Sequence, residues 1–141
     1  MKKLKTFEGF VNENSSLTVE QIADISDKAL DDAYHYGRSA QGQNFGWLAN
    51  IESAKAAKKL IDSGETDIEK ISYAIHDGWN ITAMADYNNQ LQLDTPTPQE
   101  KKEKRKNLAS KTYTELPEDE KEKDRVVARV VLNALKPSNL N

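Results

Sequence analysis

The stretch YAIHDGWNIT, residues 73–82, decides how this chain is read. Taken as helix, at about 100° per residue, it extends a stripe formed by Ile68, Ile71, Ile75, Trp79 and Thr82, while Lys70, Asp77 and Asn80 point elsewhere. Ile75 and Trp79 then lie one turn apart on the face to be buried, with His76 on its rim. Gly78 sits beside the stripe. A mid-helix glycine costs about 1 kcal/mol relative to alanine, so its use is to let another backbone or a ligand come close. Just upstream, Thr66 and Glu69 form an S/T-x-x-E pattern, which predicts a capping box at the start of this helix. The open question is whether His76 and Trp79 fill a core or wall a pocket.

Working outward toward the N-terminus, IESAKAAKKLID predicts a helix from about Asn50, with Ile51, Ala54, Lys58 and Ile61 at helical intervals and a stop at Gly64. Before it, YGRSAQGQNFGW holds Gly37, Gly42 and Gly46 and reads as a loop carrying two large rings, Phe45 and Trp47, that need something to cover. A first helix runs from a Thr18 cap to about Tyr36. It places Val19, Ile22, Ser26, Ala29, Leu30 and Ala33 on one side and Asp24, Asp27 and Asp31 on the other. Residues 3–12 spell a short amphipathic segment through Leu4, Phe7, Phe10 and Val11.

Toward the C-terminus, LQLDTPTPQ is expected to be extended or turned, because Pro96 and Pro98 disfavour helix in the residues before them. KKEKRKNLASK, residues 101–111, reads as a solvated charged helix face. The last helix opens at Pro117 with Glu118, Asp119 and Glu120 where the helix dipole favours negative charge. Val127, Val130, Val131 and Ala134 make its buried stripe, and Lys121, Arg125 and Arg129 recur along one edge.

A chain of 141 residues has room for one hydrophobic core. The organisation expected is an N-terminal arm over 1–16, a single mainly α domain over 17–136 built of packed helical hairpins with short extended segments, and a tail over 137–141. No run approaches the roughly 18 apolar residues of a membrane span, and the start has no signal-peptide core. With no cysteine there is neither a disulfide framework nor a thiolate metal site, and a reducing cytoplasmic setting is expected. Net charge is -3, unevenly spread: residues 1–97 carry 9 basic against 15 acidic side chains, and residues 98–141 carry 11 against 8. The basic third mixes its cations with acids and holds few aromatics, which argues against a nucleic-acid groove.

Catalytic signatures are missing: the two histidines, His35 and His76, belong to no HExxH, and there is no CxxC, GxSxG or GxxxxGK[ST]. Glu118, Asp119 and Glu120 are sufficiently explained as helix-start residues, so no enzyme, cofactor or metal is expected. AYHYGR at 33–38 and AIHDGW at 74–79 share an A-x-H-x-G pattern, which, as a duplication, would relate two hairpins by an approximate two-fold axis.

Two separated blocks carry a resemblance. IEKISYAIHDGW (68–79) and KTYTELPEDEKEKDR (111–125) resemble the ryanodine-receptor repeat, the second through Tyr113, Leu116, Pro117, Glu120, Lys121, Asp124 and Arg125 in order. With the segment between, the resemblance covers about residues 67–135. The chain departs from the family in two places: ADYNNQLQL stands where a Gly-Trp-x-Tyr-Gly turn is usual, and Thr112 stands where a proline usually precedes the tyrosine. The resemblance implies packed helical hairpins and, from small bacterial and phage members, the binding rather than turnover of a nucleotide-derived ligand. On that basis the protein is expected to be a phage sponge for a host immune signal, working in the host cytoplasm. The N-terminal KTFEGFVNEN also resembles head-targeting peptides of phage internal proteins, which implies packaging in the virion.

The ligand site expected joins His76 and Trp79 to Tyr113, Lys121 and Arg125, which the family pattern brings together, and to Arg38, Asn44, Phe45 and Trp47 of the glycine-rich loop. A flat ring can stack on an aromatic face, and phosphates can meet guanidinium forks or loop amides. The alternative is a virion-associated or protein-interaction structural protein, its arm and charged segment meeting a partner. Hydrolysis of the nucleotide is a third reading, and self-association into a homo-oligomer is left open.

Overall fold

A computed structural model describes residues 17–135. The arm expected over 1–16 and the tail expected over 137–141 lie outside the described residues. Among the described residues five α-helices follow one another: α1 (Val19–Tyr34), α2 (Phe45–Asp62), α3 (Ile68–Tyr87), α4 (Gln99–Ala109) and α5 (Glu118–Leu135), with a 3-10 turn, Tyr113–Glu115, before α5. The described residues form one mainly helical domain, and none of their helices is long and apolar enough to cross a membrane.

Helices α1 and α3 begin where a side chain satisfies free amides. At α1, Thr18 Oγ1 accepts from the Gln21 amide at 3.1 Å while Gln21 Oε1 accepts from the Thr18 amide at 2.8 Å. The box expected from Thr66 and Glu69 does not form at α3: Asp67 takes the cap, accepting from the Glu69 amide at 2.8 Å. An aspartate one residue nearer the helix is at least as good a cap as threonine, and it frees the Glu69 carboxylate for other partners. Glycine at 42 and 37 has positive φ, as a loop requires, but helix α2 starts at Phe45 rather than near Asn50. That extension puts Trp47 on the same stripe as Ala54 and Ile61, and buries it.

The α2–α3 hairpin is the centre of the domain. Gly78 permits it: a Cβ there would stand 2.6 Å from the Glu52 carbonyl oxygen and 2.7 Å from Ser53 Cα. The close approach is therefore to a backbone, and Ser53 Oγ seals it by donating to the Ile75 carbonyl at 2.9 Å. Against this hairpin pack α1, through Ile22 and Ala23, and α5, through Val127, Ala128, Val131 and Leu135, completing the core. Val130 and Ala134, expected in the buried stripe of α5, are only partly covered, because the helix leans on the core through Ala128 and Leu135 instead.

Helix α4 buries no residue fully. It is held on α3 by cations over rings and by polar contacts: Lys106 sits over Tyr87, 4.9 Å from the ring centre, and Lys102 donates to Asn89 at 2.6 Å. The solvated face expected of 101–111 is thus one side only. The A-x-H-x-G echo is not a structural repeat. His35 is the left-handed C-cap of α1 with φ 59°, whereas His76 is buried within α3.

Candidate functional site

Helix α3 buries His76 and leaves Trp79 half-buried, the reverse of the order expected from the stripe. The cause is the side from which α5 and the α4–α5 connection approach. His76 Nε2 lies 2.8 Å from the Lys111 carbonyl oxygen, and a carbonyl only accepts, so this nitrogen carries the proton and donates. Trp79, one turn on, faces a cavity of about 630 Å3 between α2, α3, α4 and α5, a size in the usual range for small-molecule sites.

The cavity has an aromatic wall and a cationic side. The Trp79 and His76 rings are nearly parallel, 14° apart with centres at 6.2 Å, and Phe45 meets Trp79 edge-on at 6.1 Å. Arg105 of α4 lies over Phe45, its guanidinium carbon 3.6 Å from the ring centre. Its side chain is only 22 % exposed, and its nearest carboxylate, Asp86, is 3.9 Å away. Burial pushes the Arg105 pKa below its ordinary value, opposed by Asp86, but the guanidinium stays charged. Oδ2 of Asp86 is itself buried and has no hydrogen-bond partner among the described residues. Lys101 and Lys123 also line this cavity. Burial works against the Lys123 ammonium, yet hydrogen bonds with Tyr36 and Glu120 hold its pKa above the ordinary lysine value.

Gly46, in the first turn of α2, forms part of the same wall. The expected ligand residue Asn44 turns back, donating to the Ala40 and Gln41 carbonyls at 3.1 Å each, so it does not cap α2 and leaves its first-turn amides without a side-chain acceptor. On the α5 side, Asp124 borders the cavity with 17 % of its side chain exposed. Burial first, and Glu120 second, push its carboxyl up to about 8, so it is mostly protonated at neutral pH.

Of the expected site residues, the structure brings His76 and Trp79 to this cavity, with Phe45 packed against its aromatic wall. The others are elsewhere. Trp47 belongs to the core, at 7 % exposure, because α2 starts early. Arg38 is spent on carboxylates: its Nε donates to Asp27 at 2.8 Å, and its other end bonds Asp24. Asp27, expected on the exposed side of α1, is buried, and it also accepts from the Ser39 amide at 2.9 Å and Asn50 at 3.3 Å. Burial alone would raise the Asp27 pKa; Arg38 and Ser39 outweigh it and hold the carboxyl low.

Arg125 does not border the Trp79 cavity. Its guanidinium reaches Glu69 at 2.8 Å and 3.3 Å, Glu118 at 3.0 Å and Glu122 at 3.5 Å. Tyr113 donates to the same Glu69 at 2.9 Å. Arg125 chiefly, with Tyr113, holds Glu69 below its ordinary pKa, while burial and Glu69 push the Tyr113 hydroxyl up to about 12. Tyr113 and Lys121 line a second, shallower cavity of about 490 Å3 with Tyr73. A guanidinium does border the indole and imidazole, but it is Arg105, not Arg125. Arg105, Lys101, Lys123 and Asp124 are the residues that sequence reasoning missed as site members. No known family profile, curated protein or solved structure matches this chain.

Proposed function

We propose that the protein is a non-catalytic module that binds a nucleotide-derived small molecule in the cavity beside Trp79. The observation that carries this reading is the pairing of the half-buried Trp79 indole with three cations, Arg105, Lys101 and Lys123, around one partly open cavity. A base or comparable flat ring stacks on Trp79, and the phosphate meets Arg105 and the free first-turn amides of α2 near Gly46. Arg105 supports this assignment most strongly, since its largely covered guanidinium has no carboxylate within hydrogen-bond distance. The resemblance of 68–79 and 111–125 to the ryanodine-receptor repeat points the same way, toward sequestration of a nucleotide-derived signal.

The test is retention. Purified protein is incubated with a panel of mononucleotides, cyclic nucleotides and ADP-ribose derivatives, desalted and heated, and the released material is weighed by mass spectrometry. Intact ligand is expected from the native protein and none from Trp79→Ala. Retention of no member of the panel overturns the reading, and return of a ligand chemically changed makes the protein an enzyme instead.

A further inference from the structure

His76 and Asp124 meet at the cavity from different helices, and each has a polar atom left to offer. With Nε2 of His76 donating to the Lys111 carbonyl, Nδ1 is the ring atom left to accept. It stands 3.9 Å from Oδ2 of Asp124, too far for a hydrogen bond between them. The Asp124 carboxyl makes no hydrogen bond to any described residue, although it borders the cavity. The charged and titratable groups around it are Glu120 and Lys123 on its own helix, His76 on α3, Lys101 and Arg105 on α4, and Tyr36 in the loop after α1. With the apolar side chains of Ile75 and Val127 beside it, the carboxyl is kept as a neutral acid and so presents an O–H donor.

One wall of the cavity therefore holds an acceptor and a donor side by side, a few ångströms from the indole. We infer that His76 Nδ1 and the Asp124 carboxyl together read a ring edge on which a hydrogen-bond donor and an acceptor are adjacent, as in an amide, lactam or amidine. A ring stacked on Trp79 and presenting that edge gives its N–H to Nδ1 and takes the Asp124 proton at its oxygen or ring nitrogen. A ring with an acceptor alone leaves the His76 lone pair buried and unmatched, which a site built for hydrogen bonding penalises. Recognition is consequently linked to protonation of Asp124: ionisation replaces the donor with a second acceptor. This rests on the ligand reading above and adds to it which ring edge is taken and why pH matters.

Calorimetric titration with three 5′-monophosphates that share ribose and phosphate separates the two. Adenosine monophosphate has the amidine edge, inosine monophosphate the lactam edge, and purine riboside monophosphate no exocyclic group. At least one of the first two is expected to bind about tenfold more tightly than the third, the size of a lost buried hydrogen bond. Between about pH 7 and about pH 9 the adenosine compound, whose base does not ionise there, is expected to weaken by up to about tenfold. Asp124→Asn keeps a donor and is expected to bind without that pH dependence, and its melting temperature reports that it is folded. Equal affinity for all three monophosphates by the native protein overturns the inference while leaving the binding reading standing. Binding of none of them overturns this inference, and the binding reading falls with it only when no member of the wider panel is retained either.

Discussion

Arg105 and Arg125 meet opposite ends of α3 on opposite terms. Arg125 is saturated: three carboxylates, from Glu69, Glu118 and Glu122, surround its guanidinium, and Tyr113 tightens the cluster through Glu69. Arg105 is more enclosed than a surface cation needs to be. Among the described residues it has a ring beneath it, a threonine hydroxyl at 3.5 Å, and a carboxylate held off at 3.9 Å. A fully paired guanidinium ties two helices together, whereas an enclosed and underpaired one is a standing demand for an anion. On the proposed reading, the two ends of one helix separate stability from recognition.

Substitutions that disturb the hairpin both ends depend on act on the two ends at once. Gly78→Ala forces a methyl onto the Glu52 carbonyl and is expected to cost about 1–3 kcal/mol or more in a chemical denaturation curve. Loss of both the α3 clusters, with no preference for either, is the expected signature. Next comes Trp79→Ala, which is expected to weaken ligand binding about 10- to 100-fold with a much smaller change in melting temperature, read by calorimetry and thermal melting together. Trp47→Ala should do the reverse, costing about 3–5 kcal/mol of stability because it empties a core position.

The arginines themselves sharpen the contrast. Arg105→Gln is expected to lose about tenfold or more in affinity for a phosphorylated ligand at nearly unchanged melting temperature. Arg125→Gln should lower the melting temperature and leave affinity untouched. Smaller still, Tyr113→Phe removes one hydrogen bond to Glu69 and is expected to cost about 1 kcal/mol of stability.

Acidity should tell the two ends apart by sign. Asp124 has its folded pKa raised to about 8 from 3.8, so between these values the native state holds a proton that the unfolded chain has lost. Its contribution is greatest below about pH 4 and falls away as pH rises toward about 8. Glu69 is depressed below 4.5 by Arg125, so its contribution is present above that value and is lost as pH falls through the lower folded pKa. Melting temperatures measured from acid to mildly alkaline pH should therefore show Asp124→Asn removing a loss that develops as pH rises from about 4 to about 8. Glu69→Gln should remove one on the acid side.

The helices were legible because their periodicities and caps are local. The stripe of Ile71 and Ile75, the Thr18 cap and the acidic start of α5 all stand where the pattern puts them. The site was legible only in part, because it is made by the directions from which helices approach. Nothing local separates Arg105 from the other cations between Lys101 and Lys111; only the placement of Phe45 turns it inward. Asp124 and Arg125 are neighbours about 100° apart on α5, and a small rotation of that helix decides which of them borders the cavity. His76 and Trp79 exchanged their expected burial for the same kind of reason, since the connection at Lys111 covers the imidazole and leaves the indole open.

The two indoles of this chain provide the most direct measurement. In a nitrogen-edited proton spectrum Trp47 and Trp79 each give one side-chain N–H signal, assigned with Trp79→Phe. On titration with the nucleotide that the protein retains, the Trp79 signal is expected to move far more than that of Trp47, and the shift to vanish in Arg105→Gln at the same concentration. A ligand that binds while the Trp79 signal stays fixed would contradict the placement of the site.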